Sequence, residues 1–114
     1  ARRQLGEAWR HTAVLVMTEF GRTARANGNN GTDHGTGGVA FLMGGAVSGG
    51  RVLADWPGLA EAQLFEKRDL APTRDLRAIA KGLLRDHLRL TPEAIARAFP
   101  GSEALAAENG LLGA

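Results

Sequence analysis

Glu19, Asp33 and His34 are the side chains best suited to chemistry in this sequence, because carboxylate oxygens and an imidazole are ligands for zinc, manganese or iron. Calcium would take the two carboxylates alone. Asp33 and His34 are adjacent in Gly31-Thr32-Asp33-His34-Gly35-Thr36-Gly37-Gly38, where a flexible backbone can bring neighbouring donors together. Each residue also has a plainer reading. Asp33 is a good turn former, and Glu19 could cap a turn or pair with Arg22 or Arg25. Arg22 and Arg25 flank the same stretch, either to hold an anionic group bidentately or as solvated loop charges.

Other chemistries find less support. The glycines near His34 could aim backbone N–H groups at an anion. Neither G-x-x-x-x-G-K-S/T nor G-x-G-x-x-G occurs at a strand–helix junction, which excludes the usual ATP loop and dinucleotide fingerprint. Thr18, Thr32 and Thr36 carry hydroxyls but sit in no nucleophile elbow, so structural roles are expected of them. His11 and His87 read as structural or exposed. Arg77, Lys81 and Arg85 recur every four residues as a basic ridge, expected to be a solvated face and not a nucleic-acid groove.

The elements that position these groups follow from pattern. Arg3 to Arg10 reads as the end of a helix, leading into Ala13-Val14-Leu15-Val16-Met17. That valine-rich run lacks alternation, which predicts a strand covered on both faces. Glu19 then lies just past its end, at the carboxyl edge where open α/β sheets bind ligands. Thr23 to Gly38 is predicted to be a long loop without regular structure for most of its length, and Val39 to Met43 a second buried strand. Val47 to Leu53, with Gly49-Gly50, suggests a hairpin-type return or a short edge strand. Leu59 to Phe65 suggests a helical turn.

Beyond Pro72-Thr73 the pattern turns helical. Thr73 is the expected cap of a helix whose apolar stripe is Leu76, Ile79, Ala80, Leu83, Leu84 and Leu88, interrupted by Gly82. Thr91-Pro92-Glu93 signals a second helix burying Ile95, Ala98 and Phe99, and Ser102 to Glu108 suggests a third. The predicted class is α/β. Residues 1–58 form the strand and site-loop region, and residues 59–114 a mainly helical one.

Composition sets the outer bounds. With 114 residues the chain is one domain or a segment of one, and 44% apolar with 23% charged residues is a globular balance. There is no cysteine, so disulfides and thiolate sites are excluded, while the compartment stays open, a periplasmic or exported location included. A net charge of +2 does not call for nucleic acid, and no run approaches the roughly 20 apolar residues of a membrane span. Soluble material is expected. Of 16 glycines, ten fall between Gly21 and Gly50, where backbone freedom is wanted more than side-chain packing, which places the expected chemistry there.

The run Val14-Leu15-Val16-Met17-Thr18-Glu19-Phe20-Gly21-Arg22-Thr23, followed by Gly31 to Gly45, resembles a family of uncharacterised bacterial proteins related to sulfatases. Gly49-Gly50-Arg51-Val52, Asp55-Trp56-Pro57-Gly58-Leu59, Arg68 to Thr73, Asp75-Leu76-Arg77 and Phe99-Pro100-Gly101 extend the resemblance over nearly the whole chain. It implies the C-terminal part of an alkaline phosphatase/sulfatase-like layered sheet with flanking helices. It also implies a divalent metal and a small phosphate or sulfate ester as substrate. The nucleophile would lie in an N-terminal part of the same protein, and the chain alone would be inactive. In that superfamily a strand ends in Ser/Thr-Asp-His-Gly, which Thr18-Glu19-Phe20-Gly21 resembles, with Glu19 in the aspartate's place and Phe20 in the histidine's. His34 then takes the place of a further histidine ligand, with Asp33 ligating or orienting it. The alternative is a noncatalytic structural or binding domain that retains the fold. An incomplete sheet would also expose strand edges and favour self-association.

Overall fold

In the computed structural model, which describes residues 1–113, helices and very short strands are mixed. Helix α1, Arg2–Leu5, runs into a 3-10 turn over Gly6–His11, matching the expected helical start. Four strands follow: β1 (Val14–Val16), β2 (Gly21–Arg22), β3 (His34–Gly35) and β4 (Phe41–Met43). β1 pairs with β4, and β2 pairs antiparallel with β3. The predicted strands are thus present but shorter than their apolar runs. A coarse α/β class holds at the level of mixed helix and small sheets.

Coverage of the strands differs from expectation. β1 and β4 each alternate exposed, half-buried, exposed, with Val16 at 49% and Phe41 at 57% accessibility. Burial on both faces requires a layer against each face, and a two-stranded sheet has few neighbours to provide one. The predicted edge strand over Val47 to Leu53 is also absent. Val47 instead makes a single bridge to Leu112. Thr23 to Gly38 lacks regular structure for most of its length, as expected, and adds to that the two-residue β3, which bonds into a small ladder.

Two compact units interleave along the chain. One gathers Ala1–Leu15, Leu42–Arg51 and the chain from Asp75 onward. Its main element is α2, Leu76–Asp86, followed by α3, Pro92–Ala98. Asp75, not Thr73, caps α2, its carboxylate accepting from the Arg77 N–H at 2.9 Å. Thr91 caps α3 as expected, with Pro92 in the first turn and Ile95 buried. The predicted third helix is replaced by turns between Ser102 and Leu105.

The apolar stripe Leu76, Ile79, Ala80, Leu83 and Leu84 is half-buried, with Leu88, beyond the end of α2, 59% exposed, and the two most buried residues of the helix are Lys81 and Gly82. The returning segment 102–111 packs on the Lys81 side: Glu108 N–H donates to the Ala78 carbonyl at 2.9 Å, and a Cβ on Gly82 would overlap the Glu108 carbonyl oxygen. Lys81 Nζ donates to Ser102 O at 2.8 Å, Ser102 Oγ at 3.3 Å and Leu105 O at 2.7 Å. The expected basic ridge is therefore largely consumed internally, since Arg77 pairs with Asp75 and Arg85 with Asp86. Leu111, at 2% accessibility, closes this core.

The second unit comprises Val16–Phe41 and Val52–Arg74. Its buried residues include Leu64, Thr23 and Asp69, and Glu61–Gln63 forms the expected helical turn as a 3-10 segment. Among the described residues no helix is long and apolar enough to cross a membrane.

Candidate functional site

The candidate ligands lie on a three-segment ladder within the second unit. The middle segment is 21–24, flanked on one side by 33–37 and on the other by 68–70. Arg22 N–H donates to Gly37 O at 2.8 Å and Thr23 N–H to Asp33 O at 3.1 Å, while on the opposite side Leu70 N–H donates to Arg22 O at 3.1 Å and Ala24 N–H to Arg68 O at 3.0 Å. Gly21 faces Gly35 across β2 and β3. A Cβ on Gly21 would overlap the backbone of Thr36 and Gly37, and one on Gly35 would lie about 2.5 Å from the Arg22 carbonyl carbon. Both glycines are thus required by the close approach of the backbones.

His34 sits on β3 opposite Arg22, with its ring stacked on Phe20 at a centroid distance of 4.7 Å and an interplanar angle of 19°. Phe20 therefore supports the imidazole through its face and cannot donate to a metal. A stacked contact leaves the in-plane edge of the imidazole, with its lone pair, geometrically free, and among the described residues no group bonds to either ring nitrogen. His34 is exposed.

Asp33 is held from two directions. Its backbone N–H donates to Thr23 Oγ1 at 3.1 Å, and its Oδ1 accepts from Asn27 Nδ2 at 3.0 Å. Asn27 in turn organises the loop, its own Oδ1 accepting from the N–H groups of Asn29 at 2.9 Å and Gly31 at 3.1 Å. This Asx-type turn belongs to Asn27, a residue that the sequence reading did not single out. One Asp33 oxygen is engaged with the Asn27 amide, and a carboxylate retains acceptor capacity beyond such a bond.

Glu19 lies in the bend after β1, exposed to solvent, where Phe20 N–H donates to Thr18 Oγ1 at 3.1 Å. It pairs with neither flanking arginine. Arg25 Nη2 instead meets Glu61 Oε2 at 3.0 Å, and Arg22 Nη1 donates to the Thr32 carbonyl at 3.0 Å. Both predicted anion-binding side chains thus have protein partners, although each remains exposed. Among the described residues no three His, Asp or Glu side chains converge into a group that could hold a metal. Asp33 and His34 are brought together by adjacency, and Glu19 does not complete a closed set with them.

Asp69 is the polar group that local pattern gave no means of finding. It is 4% exposed, and its carboxylate accepts from Thr36 Oγ1 at 2.7 Å and from Arg68 Nε at 2.7 Å. The bond from Arg68, then that from Thr36, holds its carboxyl below the usual aspartate range. Its backbone bridges Thr23 and Phe65. Thr36 lies 33 residues away in sequence, so no periodic signal links the two.

No curated protein matches the chain, and no solved structure matches it. A family model described as a protein of unknown function (DUF1501) matches residues 3–101. That span covers most of the 114 residues, and the chain belongs to the DUF1501 family.

Proposed function

We propose that this chain contributes part of a divalent-metal site to a hydrolase of phosphate or sulfate esters, with His34 as the principal ligand. The observation that carries this reading is the exposed His34 imidazole, braced by Phe20 with no hydrogen bond from the described residues at its ring nitrogens and with the Asp33 carboxylate next in sequence. Asp33 serves as a second ligand or as an orienting group, and Glu19 as a further oxygen donor at the end of β1. Zinc, manganese or iron(II) suits a mixed imidazole–carboxylate set, and calcium would rely on the carboxylates. A bound ion of this class would supply Lewis-acid stabilisation of an ester oxygen and activation of a nucleophile. Arg22 and Arg25 are the cations nearest in sequence for a small anionic ester, and each would have to leave its present partner to reach one.

Because no three ligands converge among the described residues, this reading requires donors from elsewhere in the same protein. Exposed apolar side chains support that requirement. Val16, Met17, Phe20, Val39, Phe41, Met43 and Trp56 are among the exposed apolar side chains. An N-terminal part of the protein laid against them would remove apolar area from water and supply the missing ligands. The alternative use of these surfaces is self-association of the isolated chain.

A second reading has its own support. Phe20 stands where the resembling motif has a metal-binding histidine, so a noncatalytic structural or binding domain retaining the fold is the competing proposal. Titration calorimetry with zinc and manganese separates the two. Saturable binding abolished by His34→Ala and weakened by Glu19→Ala favours the metal site, and absence of binding favours the scaffold.

A further inference from the structure

We propose that Thr36 and Asp69 form a positioning pair that fixes His34 in its stacked, ligand-ready orientation. The inference rests on the metal-site reading for its purpose, but its geometry stands independently of any metal. Thr36 follows β3 directly, two residues beyond His34, and its hydroxyl donates to the Asp69 carboxylate at 2.7 Å. Asp69 is the most buried polar side chain of this unit at 4% accessibility, whereas His34 is exposed and bonded by none of the described residues at its ring nitrogens. The exposed imidazole is thus tied to the buried part of the unit through Thr36.

The backbone reinforces the tie on both sides of that hydroxyl. Gly37 N–H donates to Leu70 O at 2.8 Å, next to Asp69, and Arg22 N–H donates to Gly37 O at 2.8 Å. Residues 36–37 are therefore pinned to segment 68–70 by one side-chain bond and one backbone bond, and the strand bearing His34 enters that pinned point. Asp69 is itself immobilised through reciprocal backbone bonds with Phe65, at 2.9 and 3.0 Å. A buried carboxylate accepting from a hydroxyl gives a short, directional bond, suited to fixing a strand against rotation. Without it, β3 would be held by β2 and the Gly37 bond alone, and the His34 ring would be freer to leave Phe20.

The test uses the full chain and two readouts. The first is the chemical shift of the His34 ring protons, which the stacked Phe20 ring moves through its ring current. The second is zinc affinity by calorimetry, with zinc as the only added ligand. Thr36→Val should return the His34 ring signals toward free-imidazole positions and weaken zinc binding about 10-fold or more, the loss typical of an orienting partner at a metal centre. Thr36→Ser, which keeps the hydroxyl, should restore both. Arg68→Met, which removes the other Asp69 partner, should leave the ring signals in place. Methyl signals of Leu64, buried in the same unit, report that each variant is folded.

Unchanged His34 ring signals in a folded Thr36→Val chain would overturn the pairing. So would Arg68→Met shifting them as far as Thr36→Val does, because a general loosening would then explain the effect. A wild-type chain that binds no zinc, yet shows the expected ring shifts in the variants, would defeat the metal reading and leave the positioning pair standing.

Discussion

Replacing Lys81 by methionine tests the account of the helical unit most severely, because it keeps the aliphatic length of the side chain and removes only the ammonium. In the native chain that ammonium satisfies Ser102 O, Ser102 Oγ and Leu105 O at 2.7 to 3.3 Å, with the residue 8% exposed. Hydrogen bonds from a charged donor each contribute about 1.5–3 kcal/mol, and a buried carbonyl left without a partner costs about 1–3 kcal/mol. Relief from holding an ammonium out of water offsets part of this, as does the ability of Ser102 Oγ to keep its 2.6 Å bond to Phe99 O. A net loss of about 2 kcal/mol follows, or about 10 °C in melting temperature for a domain of this size. Thermal unfolding followed by circular dichroism at 222 nm reads it directly. Arg77→Met is the matched control, since its ion pair with Asp75 is solvent-accessible and such pairs contribute little to stability. A Lys81→Met chain melting within 2 °C of wild type would refute the claim that this lysine organises the packing of segment 102–111 on α2.

Three further outcomes are expected. Asp69, Asp75 and Asp86 all have carboxyls held below the ordinary aspartate value, chiefly by bonds from Arg68, Arg77 and Arg85 respectively. Their contribution is present above the unfolded-state value near pH 4 and is lost as pH falls through the lower folded values, so urea midpoints should drop below about pH 4 and do so less steeply in Asp69→Asn. Gly35→Ala should break the β2–β3 pairing, seen as loss of protection from hydrogen exchange at Arg22 and Thr23; retained protection would mean that the strands can separate to admit a methyl group. Thr91→Ala should cost about 1 kcal/mol by removing the cap bond to Ala94 N–H, measured by urea unfolding, and no change would show that the end of α3 contributes nothing to global stability.

What could be read from the residue pattern was what is decided locally. The start of α3 followed from Thr91-Pro92-Glu93 because a cap and a first-turn proline act within four residues. The start of α2 was displaced by two residues because Asp75, a stronger capping group in this setting, accepts the Arg77 N–H that Thr73 cannot reach. Which residues of α2 are most buried was not legible, since it depends on a segment 20 to 30 residues downstream folding back onto Lys81 and Gly82. The apolar runs located β1 and β4, but coverage of their faces depends on what lies against the sheet and not on the run itself.

The site divides the same way. Asp33 and His34 stand out because their chemistry is written in adjacent letters, and the glycines around them signal backbone freedom, whereas the close approach of backbones that Gly21 and Gly35 permit depends on the pairing of β2 with β3. The ladder those glycines permit has no side-chain alternation to announce it, so the stretch from Thr23 to Gly38 resembled a loop. A phenyl ring at position 20 cannot bind a metal whatever the fold, whereas its stacking on His34 depends on β3 lying beside the bend after β1. Thr36, Asp69 and Asn27 entered only through contacts, two of them joined across 33 residues.

Zinc and manganese titrations of the wild-type chain and of His34→Ala, followed by calorimetry, address the central claim most directly. The account predicts weak, saturable binding by the chain and its loss in His34→Ala. Equal binding by wild type and His34→Ala, or no binding by wild type, would contradict it.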